Sequence, residues 1–175
     1  MPTSDIGESL VGAYLRHVVG CDVVVYNSFF ADRQGEVDVV GLKQGEPRIV
    51  WLCEVTTHIG GMLIVRNRQD ASQQVITDKL DRLRHFAQTT FPGDEYRYEW
   101  WSPRVAVGKL TDTMQAFEEA WQADGRDLRF IINETYTERI RQLVESAKSN
   151  SSTTNEPAYR MLQVLTRLRG GDLTL

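Results

Sequence analysis

Residues 48–57, RIVWLCEVTT, constrain the fold more than any other stretch of the chain. Successive side chains of a strand point to opposite faces. Ile49, Trp51, Cys53 and Val55 therefore share one face, and Val50 and Leu52 share the other. A strand that is apolar on both faces belongs in the middle of a sheet covered on both sides. Glu54 interrupts this pattern, and a carboxylate in such a place is expensive unless something compensates it.

The flanking sequence supplies the rest of a mixed sheet with helices around it. Asp5 and Glu8 have capping-box spacing, and Ile6, Leu10, Val11, Ala13, Tyr14, Leu15 and Val18 then fill one broad helical arc with Glu8 at its edge. Asp22 to Phe30 reads as a strand, ADRQG as a turn, and Glu36 to Leu42 as a second strand. KQGEP then leads by a short turn into the central strand. His58 to Asn67, with Gly60-Gly61, reads as a mobile loop, and a long helix follows from about Asp70 to Ala87. Two further strands are expected at Arg104 to Leu110 and Leu128 to Asn133, separated by a helix over Thr113 to Ala123. A helix near Glu134 to Ala147 closes a domain of residues 1–148. A polar linker over 149–156 then precedes a last helix over 157–170, packed on the same domain or on a partner.

Composition narrows the function classes. The apolar share of 41% and charged share of 25% are those of an ordinary soluble domain. No apolar run approaches the ~20 residues of a membrane span. The amino-terminal MPTSDIGES has no secretory character, so a cytoplasmic location is expected. Cys21 and Cys53 lack metal-site spacing and read as buried thiols. The net charge of -4 argues against a nonspecific polyanion binder. The 16 Arg against 4 Lys suit phosphate contacts, although a GC-rich genome gives the same bias. No Ser-His-Asp or Cys-His set, P-loop or GxGxxG stands out, which leaves covalent hydrolysis and nucleotide-driven activity without support.

Two acids on apolar strands carry the chemistry. Asp38 in GEVDVVGL and Glu54 in IVWLCEVTT lie on strands joined by a short turn, so the two carboxylates are placed to converge. A hard divalent cation is a natural partner for such a pair, and a salt bridge to one of the arginines is the competing explanation. Glu36 shares the face of Asp38 but sits close to a turn, either solvated or an accessory ligand. On the second long helix, Lys79 falls within the arc of Val75, Ile76, Leu80, Leu83, Phe86 and Ala87. An inward lysine points to an acid or phosphate nearby, unless its stem merely snorkels to water.

These segments resemble the core of the PD-(D/E)XK nuclease superfamily, from Asp5 to about Ala87 in the order α-β-β-β-α, with RVAVGKL continuing it. The resemblance implies an α/β, restriction-endonuclease-like fold: a mixed central sheet flanked by helices with an α-β-β-β-α-β core. It makes Asp38 the acid of the second strand, Glu54 the glutamate of the E-x-K motif and Glu8 the helix glutamate. Thr56 stands where the motif lysine is usual. Some relatives carry E-x-T or move the lysine to the next helix, where Lys79 is the candidate; Thr56 would then orient a water or touch a phosphate. The resemblance further implies Mg²⁺, with Mn²⁺ as substitute, on Asp38, Glu54, a carbonyl at Val55 and Glu8. The expected activity is hydrolysis of phosphodiester bonds in nucleic acid, DNA foremost, by an endonuclease or exonuclease working alone, as a homo-oligomer or within a larger complex. The competing expectation is a catalytically inactive module of the same fold that binds nucleic acid or protein.

Three other features carry less. Tyr96, Tyr98 and Trp100 alternate in EYRYEWW and read as an amphipathic edge strand or partner surface, or as stacking platforms for single strands. His17 reads as a core histidine, His85 lies on the polar side of its helix, and His58 directly follows the E-x-T segment.

Overall fold

A computed structural model describes residues 5–30, 35–57 and 69–168, with side chains of the second long helix from Gln73 onward. The expected turn at ADRQG lies largely outside these residues. The loop over His58 to Asn67 and the Gly170-Gly171 end of the last helix fall outside them entirely. Five strands form one sheet in the order β1-β2-β3-β4-β5: Val23–Phe29, Glu36–Lys43, Ile49–Val55, Glu95–Ser102 and Asp127–Ile132. β2 is antiparallel to its neighbours β1 and β3, and β3, β4 and β5 run parallel. Parallel neighbours need crossovers, which α2 (Gln69–Thr90) and α3 (Lys109–Ala123) provide. α1 (Ile6–Tyr14), α4 (Asn133–Ser149) and α5 (Pro157–Leu165) complete an α/β architecture in which helices flank a mixed sheet.

The two apolar faces of β3 each meet a helical layer, as the sequence demands. Val50 and Leu52 pack with Ile76, Leu80, Leu83, Phe86 and Ala87 of α2 and with Met114 and Trp121 of α3. Cys53 packs on the opposite side with Val11, Ala13 and Tyr14 of α1, with Leu143 and Val144 of α4, and with Tyr159 and Leu162 of α5. α5 thus lies on its own chain, held by Tyr26 Oη donating to Glu156 and by the Ala158 N–H donating to Ser9 Oγ at 3.3 Å. No helix among the described residues is long and apolar enough to cross a membrane.

Two expectations need correction. Residues 104–110 do not form a strand. β4 is Glu95–Ser102, the EYRYEWW run itself, and Pro103 ends it because proline has no N–H to donate to a ladder. Residues 103–108 form a loop, tied down where Asn133 Oδ1 accepts from Val105 N at 2.9 Å, and Lys109 already begins α3. Nor is EYRYEWW an edge: β4 lies between β3 and β5. Tyr98, Trp100 and Trp101 are buried, which removes them as stacking platforms for single strands. The edges are β1 and β5, and β1 exposes Val23, Val25 and Phe29. The first helix also changes character, since its last turn, Leu15–Val19, is π-helical and ends at Gly20 with φ 80°. There His17 stacks on Tyr159 at 3.7 Å, half-buried, instead of sinking into the core.

Close approach of α1 to the sheet depends on glycine. A methyl group at Gly12 would come 2.0 Å from Tyr26 Oη, on a ring already held by Glu156. Overpacking at such a contact costs about 1–3 kcal/mol. Gly12→Ala should lose stability of that order in urea denaturation despite the better helix propensity of alanine; parent-like stability would contradict the packing of α1 on β1.

Candidate functional site

The site grows from the β2–β3 hairpin. The register runs from Lys43↔Ile49 to Val39↔Cys53, and one step further sets Asp38 opposite Glu54. Both side chains have the parity of Val40 and Leu52 and so face α2. At this point the Asp38 carboxylate itself joins the strands, its Oδ2 accepting from Val55 N at 2.7 Å. Val55 therefore enters the site through its N–H. Burial is the main cause raising the Asp38 pKa, the Val55 N–H and the Lys79 charge lower it, and Glu36 and Asp5 raise it.

α2 answers the buried acid. Glu54 is only 3% exposed, and Lys79 Nζ meets its Oε2 in an ion pair. The Lys79 ammonium also lies 5.3 Å from the ring centroid of Trp100, the residue beside Glu54 in the β3–β4 register. Lysine thus bridges a carboxylate and an indole while 29% of its side chain remains exposed. Burial pushes the Glu54 carboxyl up to about 7. Lys79 draws it down, the Asp38 charge raises it, and Arg82 lowers it.

α1 brings Glu8 alongside. Asp5 caps the helix, and its own N–H donates to Glu8 Oε2 at 3.1 Å, completing the capping box. Thr57 Oγ1 donates to Asp5 Oδ2 at 3.2 Å, which ties this helix start to the chain just beyond β3. A methyl group at Gly7 would lie 2.0 Å from Thr57 Cγ2, so the helix start sits directly against that residue. Glu8 is half-buried. Its pKa is raised chiefly by burial, with Asp5 N–H and Asn27 lowering it and the Asp38 charge raising it.

Of the residues singled out in the sequence, Asp38 and Glu54 share the face toward α2, Lys79 is paired with Glu54, and Glu8 on α1 relates to Asp38 only through the charge that raises its pKa. Thr56 is half-buried and donates its N–H to Trp101 O at 2.9 Å. Glu36 is exposed at the start of β2. His58 lies outside the described residues. Among the described residues no group of three or more His, Cys, Asp or Glu side chains is arranged to hold a metal ion. Sequence reasoning missed Arg82, although its place three residues after Lys79 puts it on the same helix face. Trp100 belongs to a run whose alternation suggests an edge strand or partner surface, whereas it lies buried on an inner strand. On the far face of the sheet, Glu99 is equally buried but accepts from Trp101 Nε1 at 2.9 Å within its own strand. Compared with protein-family models, with curated proteins and with solved structures, the chain has no match.

The folded chain holds the Glu54 proton up to about pH 7, whereas the unfolded chain releases it near 4.5. Between these values the folded state binds more protons, so this stabilising contribution is complete below pH 4.5 and lost as the pH rises to about 7. Replacing Glu54 by Gln should remove of order 3 kcal/mol of that decline, measured by urea denaturation across the window. A decline as steep as the parent's would contradict the burial of this carboxylate.

Proposed function

We propose that the protein is a metal-dependent nuclease, a phosphodiesterase acting on nucleic acid with DNA foremost, on a restriction-endonuclease-like variant of the α/β fold. One observation carries this reading: Asp38 and Glu54 stand opposite each other on neighbouring strands, and an inward lysine from the next helix meets Glu54. The donor set fits Mg²⁺, or Mn²⁺ in its place. It consists of carboxylate oxygens, and the Asp38 charge disfavours an ionised Glu54 in a way that a divalent cation relieves. Asp38, Glu54, the Val55 carbonyl and Glu8 are the residues that would hold the ion. When bound, it supplies Lewis acidity towards water and a phosphate oxygen.

The chain's own groups then divide the remaining work. Asp38, braced by the Val55 N–H, keeps its carboxylate at the strand junction. Glu54 serves only when ionised, so ion affinity should weaken as the pH falls below about 7. Lys79 takes the place of a motif lysine. Its ammonium can leave Glu54 for the charge that builds on the phosphate, with the Trp100 ring as a second support. Arg82 adds positive charge on the same side, and the Thr56 hydroxyl is available to orient a water.

A second reading has its own support. Lys79 already neutralises Glu54, and no three-residue metal cluster stands formed among the described residues. Both facts also suit a catalytically inactive module that binds nucleic acid or protein.

Labelled single- and double-stranded DNA and RNA incubated with Mn²⁺ separate the two. Cleavage should occur with the parent and fall at least about 100-fold in Asp38→Ala, Glu54→Ala and Lys79→Met, with circular dichroism showing intact folds. Binding without cleavage by the parent would favour the inactive module, and parent-like cleavage by all three variants would refute the assigned residues.

A further inference from the structure

The two edges of the sheet are finished differently. On β5, Asp127 and Arg129 pair along the strand, and the Phe130 N–H is taken by the Glu118 carboxylate of α3. Charges and covering side chains are the usual means of keeping an edge strand from pairing with another chain. β1 has neither. Val23–Phe29 reads VVVYNSF, with no charged residue and no proline, and Val23, Val25 and Phe29 are 43%, 44% and 67% exposed.

The open backbone groups of this edge belong to the same residues. Asp22 donates its N–H to Leu42 O at 2.8 Å and Phe30 donates to Gly35 O at 3.2 Å, so even-numbered positions of β1 turn their N–H and C=O toward β2. Odd-numbered positions turn theirs away from the sheet. At one end Cys21 spends its N–H on Leu15 O at 2.8 Å, and at the other Asn27 leaves the extended region with φ 51°. Between them Val23 and Val25 each present an outward N–H and C=O together with an exposed apolar side chain.

We propose that the β1 edge is the contact between two copies of this chain, paired antiparallel about a two-fold axis at Val24. Val23 of one copy then exchanges N–H···O=C bonds with Val25 of the other, and Val25 with Val23, which uses every outward group of the short run. The strand's match to itself selects a second copy as the occupant. An uncharged strand meets its own copy without like-charge repulsion, and each exposed valine faces a valine. Because β5 is guarded, the contact closes at two copies and does not propagate from sheet to sheet. A contact made through one short strand is smaller than the ~800 Å² per partner of a standard interface, so the dimer is reversible, with dissociation in the micromolar range. This contact stands apart from the Asp38–Glu54 site and does not depend on it.

Sedimentation velocity on the whole chain over a concentration series tests the proposal. The parent should pass from monomer to dimer as its concentration rises. Val25→Lys changes two symmetry-related pairs at once and should weaken association at least about 10-fold. Circular dichroism and the melting temperature should stay parent-like, since the altered side chain lies on the surface. Combining Val23→Lys with Val25→Glu sets opposite charges across the axis, and should recover the dimer in a form that salt weakens. A parent that stays monomeric at millimolar concentration would overturn the proposal. So would association that Val25→Lys leaves unchanged, or that the paired charges fail to recover.

Discussion

Glu54 is a carboxylate on the central strand of a sheet covered on both faces, and the surrounding structure answers to that burden. Leaving such a group ionised and unpaired would cost several kcal/mol. α2 therefore crosses the sheet with a lysine turned inward among Ile76, Leu80 and Leu83, a placement that would itself be costly without the acid. Trp100 offers its ring to the same ammonium, so the β3–β4 pairing also supports the ion pair. On the other side of Glu54, Asp38 leaves ordinary ladder pairing and spends its carboxylate on the Val55 N–H. The hairpin is thereby opened at one end, where two acids and a cation lie within one short stretch of sheet.

Glu99 shows what a buried acid looks like without this arrangement. It is as inaccessible as Glu54, but it is closed in by the indole N–H two residues along its own strand, beside the Cys53 thiol. Burial keeps both cysteines protonated, with Cys21 pushed up to about 12. Burial raises the Glu99 pKa, and the cation that most lowers it, Arg139, is engaged with the Tyr14 ring and hydroxyl. Lys79, by contrast, is part-exposed and joins Glu54 to the surface. The two faces of one sheet thus hold one acid bonded within its own strand and one paired with a part-exposed lysine from a helix.

Much of the fold was legible because periodicity and burial agree. The two-sided pattern of β3 called for helices on both faces, and the short turn before it set the hairpin that places Asp38 across from Glu54. The inward Lys79 followed from helix spacing alone. Reading failed where local pattern and tertiary position part company. EYRYEWW alternates like an edge strand only through Tyr98; Glu99, Trp100 and Trp101 are all buried, and β5 covers the flank that the sequence leaves open. RVAVGKL has strand-like residues, but Pro103 before it and Gly108 within it, at φ 121°, break it into a loop and a helix start. Asn27 was illegible because a polar residue in a β-branched run looks like an outward-facing one. It adopts a left-handed backbone, φ 51°, inside β1.

The central claim is that Asp38 and Glu54 together hold a divalent cation. Crystals soaked in Mn²⁺ and measured at the manganese absorption edge would test it most directly. The account predicts one strong anomalous peak between the two carboxylates, with Lys79 displaced from Glu54. A peak elsewhere, or none while Lys79 stays on Glu54, would contradict it.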